Sequence, residues 1–171
     1  SDEVLDWANK TLASALNQVR GAFGTLCKGL LKEVHNQRHG RRIVSSIDSQ
    51  EIFGLAIVDH PPLQRASTTV LHEVSGRGYC TLILRFDETR EFFEELSTVG
   101  DVLDYLRWRS HSALRGLVEA TSELDVLAFY KVNGKHIHDW LDAGEHVVIP
   151  PGEWAKYCDH PQKLARDRQQ Q

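Results

Sequence analysis

Methionine is absent from the 171 residues. So is any apolar run near 18 residues, the length a membrane-spanning helix needs. The longest apolar stretches, Phe53 to Val58 and Cys80 to Leu84, are strand-sized. Cysteine is scarce: Cys27, Cys80 and Cys158 are odd in number and far apart. That argues against a disulfide framework and against a cysteine-rich zinc site. No basic segment leads into an apolar one at the N-terminus, so a secretory signal is not visible and a cytoplasmic, reducing setting is expected. Internal repeats, low-complexity tracts and linkers are missing. So are G-x-S-x-G, the P-loop, G-x-G-x-x-G after a strand and H-E-x-x-H. Gly76-Arg77-Gly78 is too short to cradle a phosphate. A net charge of −4 exerts no global pull toward nucleic acid.

What is present is the composition of a folded domain, 41% hydrophobic and 26% charged. The length suits one core and is short for two, so residues 1–171 are expected to form a single domain. The start at Ser1 without methionine reads as processed or engineered. The final segment, helical from Glu153, runs into Arg166-Asp167-Arg168-Gln169-Gln170-Gln171 with no glycine stop. Both ends carry the expectation of a piece of a longer protein.

Leu5, Ala8, Leu12, Leu16, Val19, Phe23, Leu26, Leu30 and Val34 recur at steps of three and four, one apolar face of a long helix. Asp2 caps its start. It is expected to end near His39-Gly40, with Gly40 as the terminal glycine. Such a seam packs on its own domain or docks a partner, including a second copy. Strands follow: Arg41 to Ile47, Glu51 to Asp59, Ser67 to Ser75 and Tyr79 to Arg85. Pro61-Pro62 ends the second, and Gly76-Arg77-Gly78 turns the last two into a hairpin. After Arg85 the pattern becomes helical. Asp87 to Leu96 points Phe92, Phe93 and Leu96 inward. Ser97 or Thr98 caps a helix carrying Val102, Leu103, Leu106 and Trp108. Ser122 caps a third, stopped by Asn133-Gly134. His146 to Ile149 reads as a short edge strand. The expected class is α+β: a long N-terminal helix, a mostly antiparallel sheet of three to five strands, then a block of helices.

Three groups of residues carry candidate chemistry. Asp59 closes one strand and Glu73 sits near the end of the next. The spacing Asp-(13 residues)-Glu-x-Ser resembles the acidic pair of restriction-endonuclease-like nucleases of the PD-(D/E)xK type. That resemblance covers residues 30–85 and implies that Asp59 and Glu73 hold Mg²⁺ to activate water for phosphodiester cleavage, with Glu33 as an extra acid. The third motif position is Ser75 where the family has lysine, and a hairpin stands where the family has a helix. Arg77 substitutes for the lysine only if the turn aims it inward. The simpler assignment, favoured here, makes Asp59 a cap of the His60-Pro61-Pro62 turn and Glu73 a solvent-facing residue. His136, His138, Cys158 and His160 supply four zinc ligands of suitable softness, although their spacing matches no finger pattern; surface histidines are the commoner explanation. The basic residues Lys32, His35, Arg38, His39, Arg41 and Arg42 attract phosphate, with Lys32, Arg38, Arg41 and Arg42 as the contacts. Cations at a helix C-terminus complement the macrodipole equally well without any ligand. Asp87, Glu88, Glu91, Glu94 and Glu95 read as a solvated helix face, and Cys27, in a buried helix, is a poor nucleophile.

FGLAIVDHPPL at 53–63 and the run from Leu82 through FDETREFFEELSTVGDVLDYLRWRS to Phe129-Tyr130 resemble the N-terminal half of a loosely defined group of uncharacterised bacterial proteins. The likeness covers residues 41–171. It implies a bacterial cytosolic origin and a longer parent chain, and it brings no activity or site residues. The function expected is a non-catalytic α+β module of a larger bacterial protein, acting through protein or nucleic-acid contacts. Its partners are then the rest of the parent protein and whatever the first helix docks, with no membrane. The alternatives are a Mg²⁺-dependent nuclease and a zinc-stabilised structural domain.

Overall fold

The computed structural model describes residues 2–30, 33–36, 38, 40–43, 51–59, 68–74, 76–133, 144–161 and 163. The fold is α+β. Helix α1 (Asp2–Cys27) is followed by a hairpin of β1 (Glu33–Asn36) and β2 (Gly40–Ile43). Strands β3 (Gly54–Val58), β4 (Thr69–Val74) and β5 (Arg77–Arg85) come next. A 3-10 turn (Phe86–Glu88) leads into α2 (Thr89–Glu95), then α3 (Val99–Leu114), β6 (Val118–Glu119), α4 (Glu123–Asn133), β7 (Val147–Val148) and α5 (Glu153–Cys158).

Helix α1 stops twelve residues short of the expected terminus near His39-Gly40. The reason is local. Gly29 takes φ +64°, a left-handed conformation that costs glycine little. Its N–H donates to Leu26 O at 2.9 Å, and Leu30 N–H donates to Thr25 O at 3.1 Å. This pair of bonds is a Schellman motif, which satisfies the last carbonyls and ends the helix. Gly40 (φ +70°) instead sits where the hairpin turns back, paired with Asn36.

The main sheet is mixed and has the order β3-β5-β4. Strands β4 and β5 form the expected hairpin around Gly76, whereas β3 pairs with β5 in parallel. Strand β5 therefore lies between the two strands that precede it in sequence. Period-2 alternation along β5 sends Tyr79, Thr81 and Ile83 to one face and Cys80, Leu82 and Leu84 to the other; all six are buried. Helix α1 covers the first face, where Phe23 stacks on Tyr79 at 4.6 Å between ring centroids. Gly54 of β3 makes that approach possible. A Cβ there would lie 2.9 Å from Val19 Cγ1 and 3.0 Å from Phe23 Cζ, closer than real contacts allow. On the other face Leu82 and Leu84 join Phe92, Leu96, Tyr105, Trp108, Leu124, Val126, Leu127 and Ile149 in the main core. Tyr105 meets Phe92 and Tyr130 edge-on at 5.4 and 5.2 Å.

Helix α3 begins as its sequence dictates. Thr98 Oγ1 accepts the Asp101 N–H at 3.1 Å, and the Asp101 carboxylate accepts the Thr98 N–H at 3.1 Å, a reciprocal capping box. The acidic run before it departs from the expected solvated face. Glu88 and Glu95 are buried, and each has partners. Ser122 Oγ donates to Glu88 at 2.9 Å. Tyr157 Oη donates to Glu95 at 2.6 Å, and Lys163 Nζ lies 2.9 Å from the same carboxylate. Asp125, also buried, accepts Trp154 N–H at 2.8 Å and so anchors α5 on α4.

At the centre of the helical layer lies a charged pair removed from water. Arg109 of α3 and Glu123 of α4 are 1% and 0% exposed. Arg109 Nε donates to Glu123 Oε1 at 3.1 Å and to Oε2 at 3.3 Å, and Nη2 donates to Thr68 Oγ1 at 2.8 Å. Tyr105 donates its hydroxyl proton to Glu123 Oε1. The two partners pull in opposite senses. Burial pushes the Glu123 carboxyl up, toward the neutral acid. Burial also opposes the Arg109 charge, yet Glu123 holds that guanidinium above its usual range. The arginine decides, because it keeps its proton in proteins and a neutral Glu123 would leave its charge buried alone. Glu123→Gln should therefore cost about 3–5 kcal/mol of unfolding free energy, and an Arg109→Met/Glu123→Leu double variant much less. Urea denaturation of the two variants checks this; equal costs for the single and the double variant would show that no such coupling exists.

Candidate functional site

Asp59 and Glu73 are not brought together. Val58, just before Asp59, pairs with Arg85 at the C-terminal end of β5. Glu73 pairs with Gly78 near the other end of that strand. Seven residues of β5 separate those register positions, roughly 23 Å at ~3.3 Å per residue. The insertion of β5 between β3 and β4 adds two strand spacings. Carboxylates that share one Mg²⁺ bind it at about 2.0–2.1 Å, so this pair does not hold a common ion. Both side chains are exposed. Ser75 and the His60-Pro61-Pro62 turn lie outside the described residues, and Arg77 at the start of β5 is exposed. Glu33, expected as a helical acid, belongs to β1.

Of the candidate zinc ligands, His136 and His138 lie outside the described residues. Cys158 ends α5 and His160 follows it, both half-buried. Among the described residues, no three His, Cys, Asp or Glu side chains are grouped as a metal site. No helix among them is long and apolar enough to cross a membrane. Cys27, the last residue of α1, places its Sγ 2.8 Å from Tyr79 Oη. Cys80 is buried under α3, and burial pushes its thiol up to about 11 despite the nearby Arg109 charge.

The basic cluster changes its setting. Lys32 and His39 lie outside the described residues, but His35, Arg38, Arg41 and Arg42 belong to the β1–β2 hairpin and its turn. His35 pairs with Arg41, Val34 with Arg42, and Arg38 is in the turn between the strands. His35, Arg38 and Arg41 are exposed. Arg41 forms an ion pair with Glu33 on the facing strand, with side chains 71% and 47% exposed. The last turn of α1 holds no basic residue. The macrodipole explanation required these cations at a helix terminus, and they are not at one.

A second feature escaped the sequence reading. At the N-terminal end of β5 an open cleft of about 450 Å³ lies between the lead into β3, the start of β5 and α3. Arg77, Arg107, His111 and Glu51 line it together with Phe53 and Leu114. Arg107 and His111 are four apart on α3, a spacing that puts them on one helix face. That was the available signal; nothing local linked this face to residues 51–53 and 77–79.

Comparison with protein-family models, with curated proteins and with solved structures found no match.

Because Asp59 and Glu73 are exposed and far apart, Asp59→Ala and Glu73→Ala should each change unfolding free energy by no more than about 0.5 kcal/mol. Nicking of supercoiled plasmid with Mg²⁺ should be absent before and after either change. Iodoacetamide labelling of the native chain at about pH 8, read by mass spectrometry, should spare Cys80, because a thiol with a pKa near 11 is about one part in a thousand thiolate there. Rapid labelling at Cys80 would contradict its burial.

Proposed function

We propose that this chain is a non-catalytic α+β module that contacts nucleic acid through the β1–β2 hairpin. One observation carries the reading: His35, Arg38 and Arg41 are exposed on a two-stranded ribbon, and the last turn of α1 holds no basic residue. A two-stranded β-ribbon is narrow enough to enter a major groove about 12 Å wide. Arginines on it reach phosphates on either side, each displacing condensed counterions. The Glu33–Arg41 pair does not forbid this, since an exposed ion pair is worth about 0–1 kcal/mol and a phosphate can replace it. No aromatic residue occurs from Glu33 to Ile43, so the expected contact is with the backbone, without base stacking. The wider chain carries a net charge of −4, so the attraction is local to the ribbon. The resemblance of residues 41–171 to longer bacterial proteins supports a place within a larger bacterial protein.

A protein contact is favoured by a different observation. Leu55 and Ile57 of β3 are 39% and 44% exposed on the part of the helical-layer face of the sheet that α3 does not cover. Alternate apolar residues on a sheet edge offer a partner both backbone and side-chain contacts.

The nucleic-acid reading is tested by fluorescence anisotropy with a blunt, unphosphorylated duplex of about 20 base pairs. Between about 50 and 200 mM salt, log K should fall with log salt at a slope near −3, as three phosphate contacts require. The Arg38→Ala/Arg41→Ala/Arg42→Ala variant should lose at least roughly tenfold in affinity and most of that slope. Absence of binding at about 50 mM salt, or a triple variant that binds like the parent, rejects the proposal.

A further inference from the structure

The cleft at the start of β5 has its own chemistry. Arginines reach it from two elements, Arg77 from β5 and Arg107 from α3, and His111 lies one turn beyond Arg107. Two acids, Glu51 and Asp104, offset them, with the Glu51 carboxylate 2.7 Å from Arg107 Nε. Arg107 Nη1 donates to Asp104 at 2.9 Å, which among the described residues leaves Nη2 for another acceptor. The side chains of Arg107 and Glu51 are 47% and 56% exposed, so their pairing is screened and weak. A phosphate, with a charge near −1.5 to −2 and three acceptor oxygens, competes for the guanidinium fork against these two exposed carboxylates, each of unit charge.

Size sets the rest of the ligand. About 450 Å³ falls within the range of small-molecule sites and far exceeds a bare phosphate. The remaining wall is apolar: Phe53 is half-buried beside the cleft, and Leu114 is 51% exposed. We infer that this cleft binds a nucleotide phosphomonoester, its phosphate on Arg77 and Arg107 and its base against Phe53 and Leu114. Either a free mononucleotide or the phosphorylated 5′ end of a strand supplies that chemistry. The inference is independent of the hairpin reading, because a mononucleotide is too small to need the ribbon.

The experiment is an amide NMR titration of the whole chain with adenosine 5′-monophosphate, adenosine, and a tetranucleotide with and without a 5′-phosphate. The monophosphate should give saturable shifts at residues 51–53, 77–79 and 107–114, and adenosine should bind at least roughly tenfold more weakly. Arg107→Gln should weaken the monophosphate roughly tenfold, Arg77→Gln should do the same from the facing element, and Arg41→Ala/Arg42→Ala should leave it unchanged. The tighter of the monophosphate and the phosphorylated tetranucleotide identifies the source. Equal binding of adenosine and its monophosphate, no saturable shift by about 10 mM, or indifference to both cleft variants would overturn the inference. A failed duplex test with a positive titration removes the hairpin reading alone.

Discussion

The helical layer is organised by two charges that have left water. Burying a carboxylate and a guanidinium costs several kcal/mol per ion, and only near-complete hydrogen bonding recovers it. Arg109 and Glu123 meet that condition through each other, Tyr105 and Thr68. The partners come from α3, from the first residue of α4 and from the approach to β4. Satisfying one pair therefore orients two helices against the sheet. The aromatic cluster around Tyr105 and Trp108 fills the volume beside it and supplies the apolar burial. Three further buried carboxylates, Glu88, Glu95 and Asp125, repeat the device at smaller scale, each tied to a hydroxyl, an ammonium or a backbone N–H.

The sheet separates two kinds of packing. Helix α1 lies on Tyr79, Thr81 and Ile83, and Phe23 is its only fully buried residue among those described. The α3 side carries the larger core. Because α3 runs over β5 and β4, it leaves Leu55 and Ile57 of β3 partly uncovered. Its far end overhangs the start of β5, which opens the cleft. Helix α1 also ends there, with Cys27 against Tyr79, so the chain leaves for the hairpin and returns at Glu51 from the same end of the sheet. The cleft is thus reached from that end, while Asp59 lies at the other.

Much of the fold was legible. The capping box at Thr98 and the hairpin about Gly76 follow from residues within four or five positions of one another, and the α+β order follows from the sequence of such local patterns. The length of α1 was not. Leu30 and Val34 continue the apolar steps of three and four, and a periodic pattern does not reveal that Gly29 has turned left-handed. The same error put the basic residues on a helix terminus. The candidate site was legible only in its residue types: arginines near residue 40 were noticed, but their ribbon and the Arg77–Arg107 cleft were not.

Local sequence determined which segments are helices and strands and which faces are apolar, because periodicity, caps and turns act over a few residues of chain. Tertiary structure decided which of those segments are neighbours. Placing β5 between β3 and β4 parts Asp59 from Glu73, and folding α3 over β5 joins Arg77 to Arg107 and buries Arg109 on Glu123. Strand order and helix placement are set by the joint burial of surfaces far apart along the chain. No stretch of sequence carries that sum by itself.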